Sequence, residues 1–348
     1  MSSPRDRRFA VVGCGSIGTR HLRNLVSLGC KHLVAVDADP AAAARAAAGT
    51  GAAITTTLAE ALHAGADVVL VTTPTHLHVA PALEAVRAGA ALFVEKPLAA
   101  TLDGVDELVA EAARCRTTAL VACNLRFHPG LVQLQGLARS GAIGTPLSAR
   151  IEYGGWLPDW RPGTDYRGGY AARRETGGGI VLDAIHELDV ARWLLGEPSQ
   201  VACFAGKLST LELETEDTAA ILLRHPGGAL AEVHLDYVQR TVSRTCQLVG
   251  EEGTLRWDWT TGETRLYDAA TRAWTSFPAP LDWLPNQMYI AELEHFLACI
   301  AGDAEPVQGL AAGRSVLTTA LAALESSEQG TVIALGGSVP PVALRVAA

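Results

Sequence analysis

Gly13, Gly15 and Gly18 form a GxGxxG array inside Phe9-Ala-Val-Val-Gly-Cys-Gly-Ser-Ile-Gly18, after an apolar run and before a helical stretch. In that context the first glycine permits a tight turn, the second lets the backbone approach a pyrophosphate, and the third lets helix and strand pack closely. The helix opening at Ser16 and Ile17 adds free N–H groups and a positive dipole end, both suited to phosphates. A second apolar run ends at Asp37, nineteen residues past Gly18, where a carboxylate accepts hydrogen bonds from the adenosine ribose. The same carboxylate repels a 2′-phosphate by up to about 4 kcal/mol at an effective dielectric of about 20. Ala38 and Asp39 follow it, with no arginine to clamp a phosphate; Arg45 alone could reach in. The array predicts NAD in preference to NADP, against the plainer alternative of a tight glycine turn and a surface aspartate.

The elements that would position such a site alternate short apolar runs with Ala-rich helical stretches. Strands are expected at Phe9–Val12, His32–Val36, more weakly Ala52–Thr56, then Val68–Thr72, Ala91–Glu95 and Ala119–Ala122. Helices are expected at Ile17–Leu28, Pro40–Ala48, Ala80–Ala88 and Leu102–Cys115. β-Branched runs without polar alternation suit a parallel sheet covered on both faces, and repeated βα units make it doubly wound. Beyond residue 123 the texture changes. A Trp-, Gly- and Arg-rich stretch leads to a helix over Ile180–Leu195. Period-2 strands follow at Val201–Gly206, Thr218–Leu223, Ala229–Asp236, Ser243–Val249 and Thr254–Trp259, in a mostly antiparallel sheet. Helices near Met288–Ala301 and Leu310–Glu325 complete the pattern.

Composition narrows the function. A chain of 348 residues with 49% hydrophobic content has room for two ordinary domains. Its net charge of −9 argues against nucleic acid as a partner, which needs clustered Lys and Arg. No apolar run reaches the roughly 18 residues of a membrane span, and the basic Pro4–Arg8 opening lacks the apolar segment of a signal peptide. Seven cysteines scattered without CxxC or zinc spacing fit reduced thiols in a cytoplasmic protein. His76 and His78 form HxH without a third ligand at sensible spacing, so no metal is expected.

Four stretches, taken in order, carry a resemblance. They are Gly13–Gly18, Thr73-Pro-Thr-His-Leu-His78, Glu95-Lys-Pro97, and Gly177-Gly-Gly-Ile-Val-Leu-Asp-Ala-Ile-His186. Over nearly the whole chain the pattern resembles the oxidoreductases named for glucose–fructose oxidoreductase, inositol dehydrogenase and a rhizopine catabolism protein. The resemblance implies an α/β fold: an N-terminal Rossmann domain with a doubly wound parallel sheet (1–124), which binds NAD, and a C-terminal α/β domain (125–348). The second domain's open, mostly antiparallel sheet would serve substrate binding and assembly into a homodimer or homotetramer, with the late helices free to pack back on the first domain. The implied reaction moves hydride between the nicotinamide and a hydroxyl or carbonyl carbon of a sugar, cyclitol or nucleotide-linked sugar.

Residue by residue, Lys96 corresponds to the family's active-site lysine. A cation at the carboxyl end of a parallel strand faces the ligand crevice, where it polarises a substrate oxygen or, if burial lowers its pKa, relays a proton. Pro97 would pin the chain there, through a trans or a cis bond. Asp183 and His186, three apart on the expected helix, share a face. His186 is assigned as general acid/base, with Asp183 orienting it or contacting substrate. Many relatives separate this pair by four residues, which leaves Asp189 as an alternative partner. Thr73, Pro74, His78, Glu95 and Asn124 join the glycine loop, Asp37 and Lys96 as expected cofactor contacts. Asn124 reads equally as a turn residue, and His78 as a cap or packing group for the next helix.

Arg126, Trp160 and Tyr166 join Lys96, Asp183 and His186 as expected substrate contacts. The stretch from Trp156 to Arg174 offers aromatic faces for a sugar ring (Trp156, Trp160, Tyr166, Tyr170) and donors for carboxylate or phosphate (Arg161, Arg167, Arg173, Arg174). It equally reads as a loop packing over a helix or a neighbouring subunit. Two rival functions use the same framework: a glycosidase that oxidises transiently with tightly held NAD, and a non-catalytic regulator that senses the dinucleotide. A regulator should lose Lys96 or His186, and both are present.

Overall fold

The computed structural model describes residues 3–161 and 163–336; the outermost residues of the two expected domains and Pro162 lie outside the described residues. Strand and helix alternate from the start. β1 (Arg8–Val12), α1 (Ser16–Ser27), β2 (His32–Val36), α2 (Pro40–Ala47), β3 (Ala53–Thr55), α3 (Leu58–His63), β4 (Val68–Val71), α4 (Val79–Arg87), β5 (Ala91–Val94), α5 (Val105–Cys115) and β6 (Ala119–Val121) follow one another. All six strands pair in parallel, in the order β3-β2-β1-β4-β5-β6. The Val-Val-Leu-Val of β4 is buried throughout because helices cover both faces. The order reverses between β1 and β4, and a crevice for ligands opens there at the carboxyl ends of the strands. Asp39 caps α2 through Ala41 N–H at 2.9 Å, with Pro40 in the first turn.

A 3₁₀ turn at Asn124–Phe127 leads to α6 (Pro129–Arg139), β7 (Pro146–Gly154) and the turn-rich stretch before α7 (Ile180–Asp183) and α8 (His186–Leu195). Then come β8 (Gln200–Gly206), β9 (Thr218–Arg224), β10 (Leu230–Asp236), β11 (Ser243–Gly250), β12 (Gly253–Asp258), β13 (Thr264–Asp268) and β14 (Ala273–Phe277). The described chain closes with α9 (Asn286–Ala301), α10 (Leu310–Gln329) and β15 (Ile333–Ala334). These strands form a nine-stranded sheet, β14-β13-β12-β11-β7-β10-β9-β8-β15. β7 and β10 pair in parallel and the remaining neighbours are antiparallel. One face is covered: Ile151, Val233, Leu248 and Leu255 are buried beneath the helices. Across the other face runs a register row, Ala202, Leu222, Glu232, Arg150, Gln247 and Arg256. α9 packs on α1, and α10 spans from β8 to α5 and β6.

The helix expected over Ile180–Leu195 is broken. α7 makes a single turn, Ala184 leaves helical geometry (ψ 33°), and α8 restarts at His186. α3, α6, β7, β13 and β14 were not expected. β7 carries Ser148, Arg150 and Glu152 between its buried residues, β13 is mostly half-buried with polar residues at Thr264, Arg265 and Asp268, and β14 is largely exposed, so none of the three shows an apolar run.

Candidate active site

The glycine loop is shaped by contact. Gly13 has φ +95°, and a Cβ there would lie 2.6 Å from Thr73 N; one on Gly18 would lie 2.0 Å from Gly13 O. Thr72 ties the loop down, donating its hydroxyl to Val12 O at 2.9 Å and Gly13 O at 2.7 Å. Open space lies before Gly15, and no side chain caps the N–H groups of Ser16 and Ile17 at the start of α1. Those unclaimed donors fit a pyrophosphate. The carboxylate of Asp37 is fixed at the end of β2, accepting from Cys14 N–H at 2.7 Å and Asp39 N–H at 2.9 Å. Thr73 Oγ1 is buried without a partner among the described residues, and buried Asn124 begins the turn after β6. These residues form the cradle a dinucleotide needs.

Lys96 follows β5, and its peptide to Pro97 is cis. Its ammonium donates to the main-chain oxygen of Asp183 at 2.6 Å and to Asp183 Oδ1 at 3.3 Å. Tyr170 also donates to Oδ1, and Tyr237 donates to Oδ2 at 3.1 Å. A lysine and two phenols thus surround a carboxylate only 7% exposed. Burial and the Asp183 carboxylate raise both tyrosine hydroxyls well above their ordinary range, so they act as donors. α7 is held for this purpose by Glu216, whose Oε1 accepts Val181 N–H at 3.1 Å.

His186 opens α8 in the same region. Burial holds its pKa well below the ordinary value, and the positive charges of Lys96 and Arg244 push the same way, so the ring is neutral at pH 7. Its Nδ1 is buried without a partner among the described residues. The chain break at Ala184 turns Asp183 toward Lys96 and the tyrosines, so the expected orientation of His186 by Asp183 is corrected. Asp189 does not replace it. Its carboxylate accepts Arg126 Nε at 2.7 Å, Arg126 Nη2 at 2.8 Å and Gln308 Nε2 at 2.9 Å.

The same bonds correct Arg126 as a substrate contact: its third nitrogen donates to Val307 O at 3.0 Å, and the side chain is buried. His78 is corrected as a cofactor contact. It is 1% exposed, with Nδ1 2.9 Å from Pro97 O and Nε2 2.8 Å from Thr73 O, so it braces the two loops that flank the crevice. Glu95 faces inward, 2.7 Å from His21 Nε2, and accepts Lys96 N–H at 3.2 Å. Trp160 and Tyr166 line a small cleft of about 40 Å³, together with Leu157, Arg161, Tyr170 and Asp183. Trp160 is wedged between Tyr153 (5.4 Å) and Tyr237 (5.1 Å); the Tyr166 hydroxyl accepts Glu212 N–H. Sequence reasoning missed the roles of Thr72, His21, Tyr237 and Arg244, and no motif marks them.

Fold and crevice define a two-domain, dinucleotide-dependent oxidoreductase with a lysine, a carboxylate and a histidine at the strand ends. Residues 7–122 match the oxidoreductase family with an NAD-binding Rossmann fold, and residues 131–256 match the GFO/IDH/MocA C-terminal domain. The chain belongs to this family, and its first domain binds NAD. It is 30% identical to a D-apiose dehydrogenase of Paraburkholderia graminis, over 86% of this chain and 82% of that one. It is 32% identical to inositol 2-dehydrogenase 3 of Saccharopolyspora erythraea, over 72% of each. Levoglucosan dehydrogenase, in complex with NADH and levoglucosan, shares the fold with a TM-score of 0.86 at 22% identity, over 95% of this chain and 99% of that one.

Proposed function

We propose that this protein is an NAD-dependent dehydrogenase acting on a secondary alcohol of a sugar or cyclitol. The observation that carries the reading is the convergence of Lys96, Asp183 and neutral His186 in a crevice at the ends of β5 and α7. Bound NAD supplies the hydride acceptor, held by the glycine loop, Asp37 and the loop at Thr73 and Pro74. The protein's own groups handle the proton. The Lys96 ammonium donates to the substrate oxygen, and His186 accepts the hydroxyl proton as the carbon is oxidised. Asp183 keeps Lys96 aimed.

Asp37 supports NAD over NADP, since its carboxylate stands where a 2′-phosphate would come. The dehydrogenases of apiose and inositol among its relatives support the substrate class. The open face of the second sheet, with Phe204 84% and Leu222 55% exposed, supports assembly through that face into a homodimer or homotetramer. The chain leaving the first sheet after β6 supports domain limits of 1–124 and 125–348. Cysteines free of disulfides among the described residues support a reducing compartment, the cytoplasm. The test is NADH formation with a panel of aldoses, anhydrosugars and cyclitols. Wild type should reduce NAD with at least one class, while Lys96→Met and His186→Asn should retain NADH binding and lose most of their turnover. Turnover undiminished in both variants would refute the assignment.

A further inference from the structure

Arg244 stands on the covered face of β11, beside Tyr153 of β7. Its Nε donates to Glu187 Oε1 at 2.7 Å. The guanidinium lies 4.0 Å from the centroid of the Tyr153 ring and 5.8 Å from that of Trp259. That contact to Glu187 uses one of its three nitrogens. The two terminal nitrogens have no partner among the described residues, although the side chain is only 14% exposed. An arginine clamped at Nε and stacked on a ring presents a preorganised two-pronged donor.

The prongs belong to the catalytic wall. Glu187 adjoins His186, and Arg244 is near enough to disfavour protonation of that imidazole. From Arg244 a row of rings, Tyr153, Trp160 and Tyr237, leads to the Asp183 carboxylate that holds Lys96. The arginines in the Trp156–Arg174 stretch are engaged otherwise. Arg167 pairs with Glu212 at 3.3 Å, Arg173 with Glu175 at 3.7 Å, Arg174 donates to Glu214 O, and Arg161 lies over Tyr170.

We propose that Arg244 is a specificity-determining residue whose free fork binds a carboxylate on the substrate, making the preferred substrate an acidic sugar or polyhydroxy acid. This rests on the hydride-transfer reading and names the substrate class of the same site. The experiment is calorimetric titration of the NADH-loaded full chain with matched pairs, each an acid and its neutral parent, such as hexuronates with hexoses, followed by NAD reduction assays on the same pairs. Wild type should bind at least one acid about ten- to hundredfold more tightly than its parent. Arg244→Gln should remove that preference by weakening acid binding far more than binding of the neutral parent, and Arg244→Lys should keep part of it. NADH affinity and thermal midpoint serve as controls for folding. If no acid binds more tightly than its parent in wild type, or if Arg244→Gln weakens acid and parent equally, the proposal is overturned. Selective acid binding without turnover would uphold the fork and count against the dehydrogenase reading, so the two fail separately.

Discussion

Tyr237 donates its hydroxyl to Asp183 Oδ2 at 3.1 Å from a fully buried position, so the Asp183 carboxylate is oriented by a residue that cannot touch bulk solvent. The partner oxygen takes Lys96 and Tyr170. A carboxylate held on both oxygens has one orientation to offer. Tyr237→Phe removes one bond to a charged group, worth about 1.5–3 kcal/mol. We expect kcat to fall about ten- to hundredfold, with NADH affinity unchanged and the pH profile of kcat shifted. Steady-state kinetics over pH checks it; an unchanged profile would reduce Tyr237 to packing.

Asp37 should set cofactor choice. Its oxygens are fixed by Cys14 N–H and Asp39 N–H, so it cannot swing away from an incoming phosphate. Asp37→Ser should lower the NAD to NADP ratio of kcat/KM by about 100-fold, in line with a repulsion of up to about 4 kcal/mol. A ratio that stays put would show that another group does the discriminating.

His186 should make activity tolerant of acid. Its pKa is depressed, so the neutral, proton-accepting form persists as pH falls through about 6.5, where an unperturbed imidazole would protonate. The acid limb of kcat/KM for alcohol oxidation should therefore lie below 6.5. The slow residual turnover of Lys96→Met should show that limb displaced upward, because a neighbouring positive charge has gone. A limb centred on 6.5 in the wild type would contradict the burial of this ring.

The Arg126–Asp189 pair should behave as structure and not as a substrate contact. Arg126→Ala strands a buried carboxylate, at a cost of about 3–5 kcal/mol, while Arg126→Met combined with Asp189→Leu should recover most of the loss. Chemical denaturation measures both. A stable Arg126→Ala protein with a raised KM would restore Arg126 to the substrate.

What could be read from sequence was what neighbouring residues decide among themselves. The glycine turn, β1, β4 and Asp37 follow from spacing within one βα unit. Lys96 was singled out through the resemblance carried by the motifs around it; a lysine closing an apolar strand reads by itself as solvated. Asp183 was located, but its partners were not: the break at Ala184 comes from Glu216 and the segment before it, and Tyr237 lies fifty-four residues away in the chain. Arg244 and Glu187 are separated by fifty-seven. Such pairs are created by the sheet, and no local period records them. His78 and Arg126 misled because a polar side chain beside a motif can as readily be satisfied inward as face a ligand.

The segment just before α10 touches three places at once. Gln308 O accepts Val121 N–H of β6 at 2.8 Å, the Gln308 side chain reaches Asp189 in α8, and Val307 O receives Arg126. A strand edge of the first domain and a helix of the second are thereby stitched through a third stretch of chain. Of the three bonds only Val121–Gln308 reaches the first sheet; the other two lock the 307–308 segment to Arg126 and Asp189. The last strand of the first sheet is thus fastened to a strut that the rest of the chain holds rigid from behind.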